Sequence, residues 1–111
     1  MKGTLYIYRT TRMQPEIKEY SSQLPENEIN SLIGCENFEV ISRFSRYRPS
    51  RSQNYLPCFA FCDEDGKRKN LLFNSMATAL WEIATRNNFP VESLLGTVVI
   101  VTGDKEFMDA L

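Results

Sequence analysis

The sequence predicts an α+β domain: one mainly antiparallel sheet of about five strands, with two helices packed on one face. Three observations carry that expectation. β-branched and aromatic residues gather in short runs bounded by turn residues. Two segments place apolar residues at helical spacing. The order in sequence, β-α-β-β-β-α-β, puts three strands in succession, which suits an antiparallel meander.

The first strand is "TLYIYRTT", Thr4 to Thr11, where Leu5 and Ile7 alternate with Tyr6 and Tyr8. Both of its faces are at least partly apolar. "RMQPEIKEYSSQ" is polar, carries Pro15 and is expected to be a loop. "LPENEINSLIGC" reads as a helix. Pro25 suits its first turn, Glu26 and Glu28 suit the positive end of its dipole, and Gly34 suits its stop. Ile29, Leu32 and Ile33 form its apolar stripe. "NFEVISRFS" alternates as a second strand, and residues 46–54 are expected to form a long loop.

"YLPCFAFC" is a third strand, almost wholly apolar, as expected of a strand covered on both sides. Pro57 places its first residues at an edge or bulge. "DEDG" reads as a tight turn, with "KRKNLLFN" returning as the fourth strand. "NSMATALWEIATRNN" is the clearest helix, capped by Asn74 or Ser75 and ended by Asn87, Asn88 and Pro90. "VESLLG" suggests one helical turn, "TVVIVTG" a buried final strand, and Asp104 the cap of a short terminal turn. Leu80, Ile83, Cys58, Phe59, Phe61 and Val99 are the expected core positions.

At 111 residues, with 42% hydrophobic and 12% aromatic content, the chain fits one domain, residues 1–111, with a real core. The net charge of −1 excludes polyanion binding by bulk charge, so such a role must come from local clustering. No apolar run approaches the roughly 20 residues of a membrane span. The apolar part of "MKGTLYIYRTTR" is too short and too broken for a signal peptide. With three cysteines, Cys35, Cys58 and Cys62, reduced thiols in a cytosol are expected. No histidine is present, which removes the commonest general base and the commonest metal ligand.

Cys58 and Cys62 are four residues apart. On one strand they would lie about 13 Å apart, too far for a shared zinc or a disulfide. Asp63, Glu64 and Asp65 lack the remaining ligands of a calcium loop and suit turn chemistry instead. Neither a phosphate-cradling glycine loop nor a nucleophile elbow occurs. The sequence therefore points to no catalytic residue, metal or cofactor, and to a protein that is not an enzyme.

One chemistry-bearing segment remains. Between Val40 and Cys62 no acidic residue occurs, while Arg43, Arg46, Arg48 and Arg51 alternate with Tyr47 and Tyr55. Guanidinium forks bind carboxylate or phosphate in pairs of hydrogen bonds, and tyrosine offers a stacking face. These six residues are the candidate partner-binding set. Lys67, Arg68 and Lys69 form a second basic group, about 26 Å away along an extended strand. Neighbouring Asp63, Glu64 and Asp65 partly neutralise it.

"DEDGKRKNLLFNSMATAL", the "LLGTVVIVTG" ending and "EINSLIGCENFEVI" together resemble a family of small bacteriophage and mobile-element proteins, known as a domain of unknown function, over residues 26–104. The fold-forming positions that carry the likeness are Asn74, Ala77, Leu80 and Gly96; the arginine segment has no counterpart in that family. The resemblance implies a phage or mobile-element protein in the cytoplasm of a host cell, binding and blocking a host protein. The arginine segment offers the alternative of a nucleic-acid or nucleotide binder.

Overall fold

Two strands supply the centre of the molecule because both of their faces are apolar. In the computed structural model, which describes residues 1–111, these are β1 (Gly3–Tyr8) and β7 (Val98–Gly103). They pair antiparallel, with Leu5 opposite Val101, Tyr6 opposite Ile100 and Ile7 opposite Val99. β6 (Phe59–Asp63) pairs with the other side of β7, and β3 (Phe38–Val40) closes that edge. β2 (Glu16–Tyr20) lies on the far side of β1. The sheet is five-stranded and antiparallel throughout, in the order β2-β1-β7-β6-β3. The remaining strands, β4 (Arg46–Tyr47) and β5 (Leu56–Pro57), form a separate hairpin.

The α+β class and the antiparallel sheet are as the sequence predicts, but the helices do not share one face. Leu5, Ile7, Phe61, Val99 and Val101 are covered by Ile29 of α1 (Glu28–Ile33) and Phe107 of α3 (Lys105–Asp109). Tyr6, Tyr8, Ala60, Cys62, Val98 and Ile100 lie on the opposite face, under Ala77 and Ala84 of α2 (Ser75–Ala84) and Leu94. The reason is period-two alternation. Strands apolar at consecutive positions expose two dry faces, and each needs its own cover.

Further differences concern single elements. Residues 16–20, expected as loop, are the edge strand β2. Residues 67–74 do not return as a strand. Lys69 N–H donates to Asp65 O at 2.9 Å and Leu71 N–H to Gly66 O at 3.0 Å, so the chain winds through turns, with Asn70 at φ 58°. Residues 91–96 form no helical turn. The chain bends after Val40, where Arg43 takes φ 63°, so the second predicted strand is cut to its first half. The third is split at Cys58, and Pro57 ends the hairpin portion.

The caps follow their residue types. Asn74 accepts from Ala77 N–H at 3.1 Å, Asp104 accepts from Phe107 N–H at 2.9 Å, and Gly34 closes α1 at φ 82°. Of the expected core, Cys58, Phe61 and Val99 are buried and Leu80 is half-buried, whereas Phe59 and Ile83 are exposed. α2 presents small residues, Ala77, Thr78 and Ala84, to the sheet, and Ile83 falls on the outer side. No helix is long and apolar enough to cross a membrane.

Candidate functional site

The arginine segment is built as a hairpin standing against the α2 face. Arg46 is opposite Pro57 and Tyr47 opposite Leu56. Neighbouring strand residues point to opposite sides, so one of the pair Arg46–Tyr47 must turn inward. Tyr47 does so. It is buried, its ring centroid lies 4.8 Å from that of Tyr6, and its hydroxyl is bonded to the Tyr8 hydroxyl. Burial raises both the Tyr8 and the Tyr47 phenol above the ordinary range. Tyr47 is thus a core residue and offers no face to a partner, contrary to its place in the predicted set.

Arg46 is only partly free. Its Nη2 donates to Ile83 O at 3.0 Å and its Nε to Ala84 O at 3.3 Å. It therefore caps the last turn of α2, where unpaired carbonyls collect negative partial charge. Its guanidinium also lies 4.2 Å from the Tyr55 ring centroid, and that of Arg48 lies 4.9 Å from the same ring. Arg43, in its left-handed conformation, covers the Phe89 ring at 3.9 Å. Arg51 is exposed in the hairpin loop. There Ser50 Oγ donates to Gln53 Oε1 at 3.1 Å, and Gln53 N–H donates to Ser50 O at 3.1 Å.

None of Arg43, Arg46, Arg48 and Arg51 takes part in an ion pair. The second basic group differs. Lys69 Nζ lies 2.7 Å from Asp63 Oδ2, Arg68 Nη2 2.9 Å from Asp65 Oδ2, and Lys67 Nζ 3.6 Å from Glu92 Oε2. The Arg68 guanidinium holds the Asp65 carboxyl below the usual carboxylate range. The "DEDG" turn is thus occupied by its own lysine and arginine, and the hairpin keeps the uncompensated charge.

Sequence reasoning missed two neighbours of this surface. Leu56 is large and exposed next to Tyr55, and Phe89 carries Arg43. For Leu56 the signal was Pro57, which marks the point where the chain leaves one sheet for another. Phe89 follows two turn residues, and nothing in the sequence pairs it with Arg43.

The thiols sit apart from this surface. Cys58 and Cys62 are buried, and burial pushes both thiols up to about 12. Cys58 Sγ donates to Phe44 O at 3.4 Å. Cys35 is half-buried, and burial raises its pKa as well. No protein-family model, curated protein or solved structure matches the chain.

Proposed function

We propose that the chain is a non-enzymatic binding protein of the phage or mobile-element type, acting in the cytoplasm of a host cell by docking its arginine hairpin on an acidic surface of a host protein and blocking it. The observation that carries this reading is the Arg46–Tyr55–Arg48 stack beside an exposed Arg51, with no carboxylate paired to any of them. The Arg48 guanidinium, lying over the ring, keeps its edge N–H groups free for a carboxylate fork, whereas Arg46 spends two of its donors on helix carbonyls. Holding it there before binding lowers the entropy lost on association. Arginine and tyrosine are the residue types that anchor protein interfaces, and Leu56 adds apolar area beside them.

A nucleic-acid or nucleotide partner is the second reading, favoured by the exposed Tyr55 ring. It is the weaker one. Arg46 is held by helix carbonyls, Arg43 is turned toward Phe89, and guanidiniums lie within 5 Å of the Tyr55 ring twice over. Few phosphates can be neutralised, and the net charge of −1 adds no field to draw a polyanion.

The test is capture of partners from host lysate, with and without nuclease, by the chain and by its Arg48→Glu/Arg51→Glu variant. The expected result is a protein partner that survives nuclease and whose binding falls by roughly tenfold or more on charge reversal. Capture that disappears with nuclease, or an affinity that drops steeply with salt in proportion to phosphates neutralised, supports the nucleic-acid reading instead. Capture untouched by the double reversal rules the hairpin out as the interface.

A further inference from the structure

The two edges of the sheet are unlike. β2 presents exposed Glu16, Lys18 and Glu19, and charge of this kind on an edge strand resists pairing with another chain. β3 presents Phe38 and Val40, which are 38% and 55% exposed, with exposed Phe59 on the same sheet face.

The backbone of β3 is open on its outer side. Ile41 N–H donates to Ala60 O at 2.8 Å and Asn37 O accepts from Glu64 N–H at 3.3 Å. Odd-numbered residues here therefore face β6, and Phe38 and Val40 direct their backbone groups outward. Asn30 Oδ1 takes the Phe38 N–H at 2.9 Å. The Val40 N–H, the Val40 carbonyl and the Phe38 carbonyl are left along the edge, with no strand beyond β3.

The side chains alternate in character across that edge. Phe38 and Val40 lie on the face of Phe61, whose ring is 5.0 Å from that of Phe38. Glu39 lies on the other face, beside Cys62. It lines an open groove of about 620 Å³ together with Glu64, Trp81 and Leu94; of the basic residues on the same groove, Arg43 is turned onto the Phe89 ring and Lys67 is paired with Glu92. Neither Glu39 nor Glu64 takes part in an ion pair.

We infer that β3 is a strand-addition site for an extended segment of a partner protein whose side chains alternate between apolar and basic. The segment pairs with the Val40 N–H and carbonyl as a sixth strand. Its apolar residues lie against Phe38, Val40 and Phe59. Its basic residues lie over the groove, opposite the free carboxylates of Glu39 and Glu64, which reject an acidic segment. Pairing of two copies of this chain through the same edge is disfavoured, because it gathers both Glu39 carboxylates on one face. This site is separate from the arginine hairpin and does not depend on it.

The experiment is titration of the full chain with a capped heptapeptide of alternating valine and lysine, followed by amide chemical shifts. A valine–glutamate heptapeptide serves as control. The expected result is saturable shifts centred on Val40, Glu39 and Glu64 with the lysine peptide and none with the glutamate peptide. Val40→Pro removes only an outward N–H, which an edge strand tolerates, and should weaken binding roughly fivefold or more. Glu39→Lys/Glu64→Lys should abolish lysine-peptide binding and admit the glutamate peptide. The inference is overturned by absence of saturable binding, by shifts centred on the arginine hairpin, by equal binding of both peptides, or by Val40-dependent dimerisation without peptide binding. Arg48→Glu/Arg51→Glu should leave the titration unchanged, so failure at this edge is distinguishable from failure of the hairpin reading.

Discussion

Asn74 Nδ2 donates to Tyr8 O at 2.9 Å, joining two residues 66 positions apart. The same amide donates to Gly96 O at 2.9 Å, and its Oδ1 accepts the Ala77 N–H. Its backbone N–H donates to Leu94 O at 2.8 Å. One fully buried side chain therefore ties the end of β1, the approach to β7 and the start of α2. It gives two buried carbonyls a donor and one buried N–H an acceptor.

Asn74→Ala should therefore be among the costliest single substitutions in the chain. It removes a helix cap and two buried side-chain hydrogen bonds to backbone carbonyls, at a cost of roughly 2–5 kcal/mol. Asn74→Asp keeps the cap acceptor but sets a carboxylate against both carbonyls, so it should also destabilise. Urea unfolding measures both. An aspartate variant as stable as the parent would show that the side-chain amide is not the donor.

Gly3 is a second point where only one residue fits. A Cβ there would lie 2.1 Å from Phe107 Cε2, and Phe107 is 1% exposed. Gly3→Ala should push that ring out of its seat, costing about 1–3 kcal/mol, as overpacking of a closed core does. In a Phe107→Ala background the same substitution should cost much less, because the room exists. Equal costs in both backgrounds, read by thermal unfolding, would mean that α3 does not hold its ring over β1.

What the sequence made legible is what alternation and capping dictate. Leu5–Tyr8 and Val98–Val101 announce central strands, and Asn74, Asp104 and Gly34 announce helix ends. β2 was hidden because Glu16, Lys18 and Glu19 leave only Ile17 and Tyr20 to suggest a strand. An edge strand facing solvent needs no apolar pattern, since its bonds to β1 define it. The segment 67–74 misled in the opposite way. Leu71, Leu72 and Phe73 look like strand residues, yet Leu72 and Phe73 are exposed. At the candidate site, composition found the arginines but not their duties. Which of Arg46 and Tyr47 turns inward depends on the hairpin meeting the Tyr6–Tyr8 face, a contact distant in sequence.

Those duties are separable by experiment. Arg46→Glu should lower stability by roughly 1–2 kcal/mol, because it removes donors from the Ile83 and Ala84 carbonyls and adds negative charge at the end of α2. Arg48→Glu and Arg51→Glu should each stay within about 0.5 kcal/mol of the parent, as exposed substitutions do. A thermal shift assay on the three variants decides this. Equal melting temperatures for all three would remove Arg46 from the α2 cap.

The thiols give the molecule an alkaline limit. Burial pushes Cys58 and Cys62 up to about 12 in the folded chain, against about 8.5 for a free thiol. Tyr20 is also pushed up to about 12, first by burial and then by its hydrogen bond to Glu28. A raised folded pKa means that the unfolded chain loses its proton first. The stabilisation is complete below the unfolded pKa and is lost as pH rises from there through the folded value. The melting temperature should therefore hold level near neutrality and fall progressively between about pH 8.5 and 12. Cys62→Ala should flatten part of that fall, since one proton is no longer released on unfolding. In the folded protein a thiol reagent should modify half-buried Cys35 first and reach Cys58 and Cys62 only on the timescale of opening. Rapid modification of all three at neutral pH, or a melting temperature independent of pH up to 11, would place the two inner thiols in contact with solvent and contradict the packing of the α2 face.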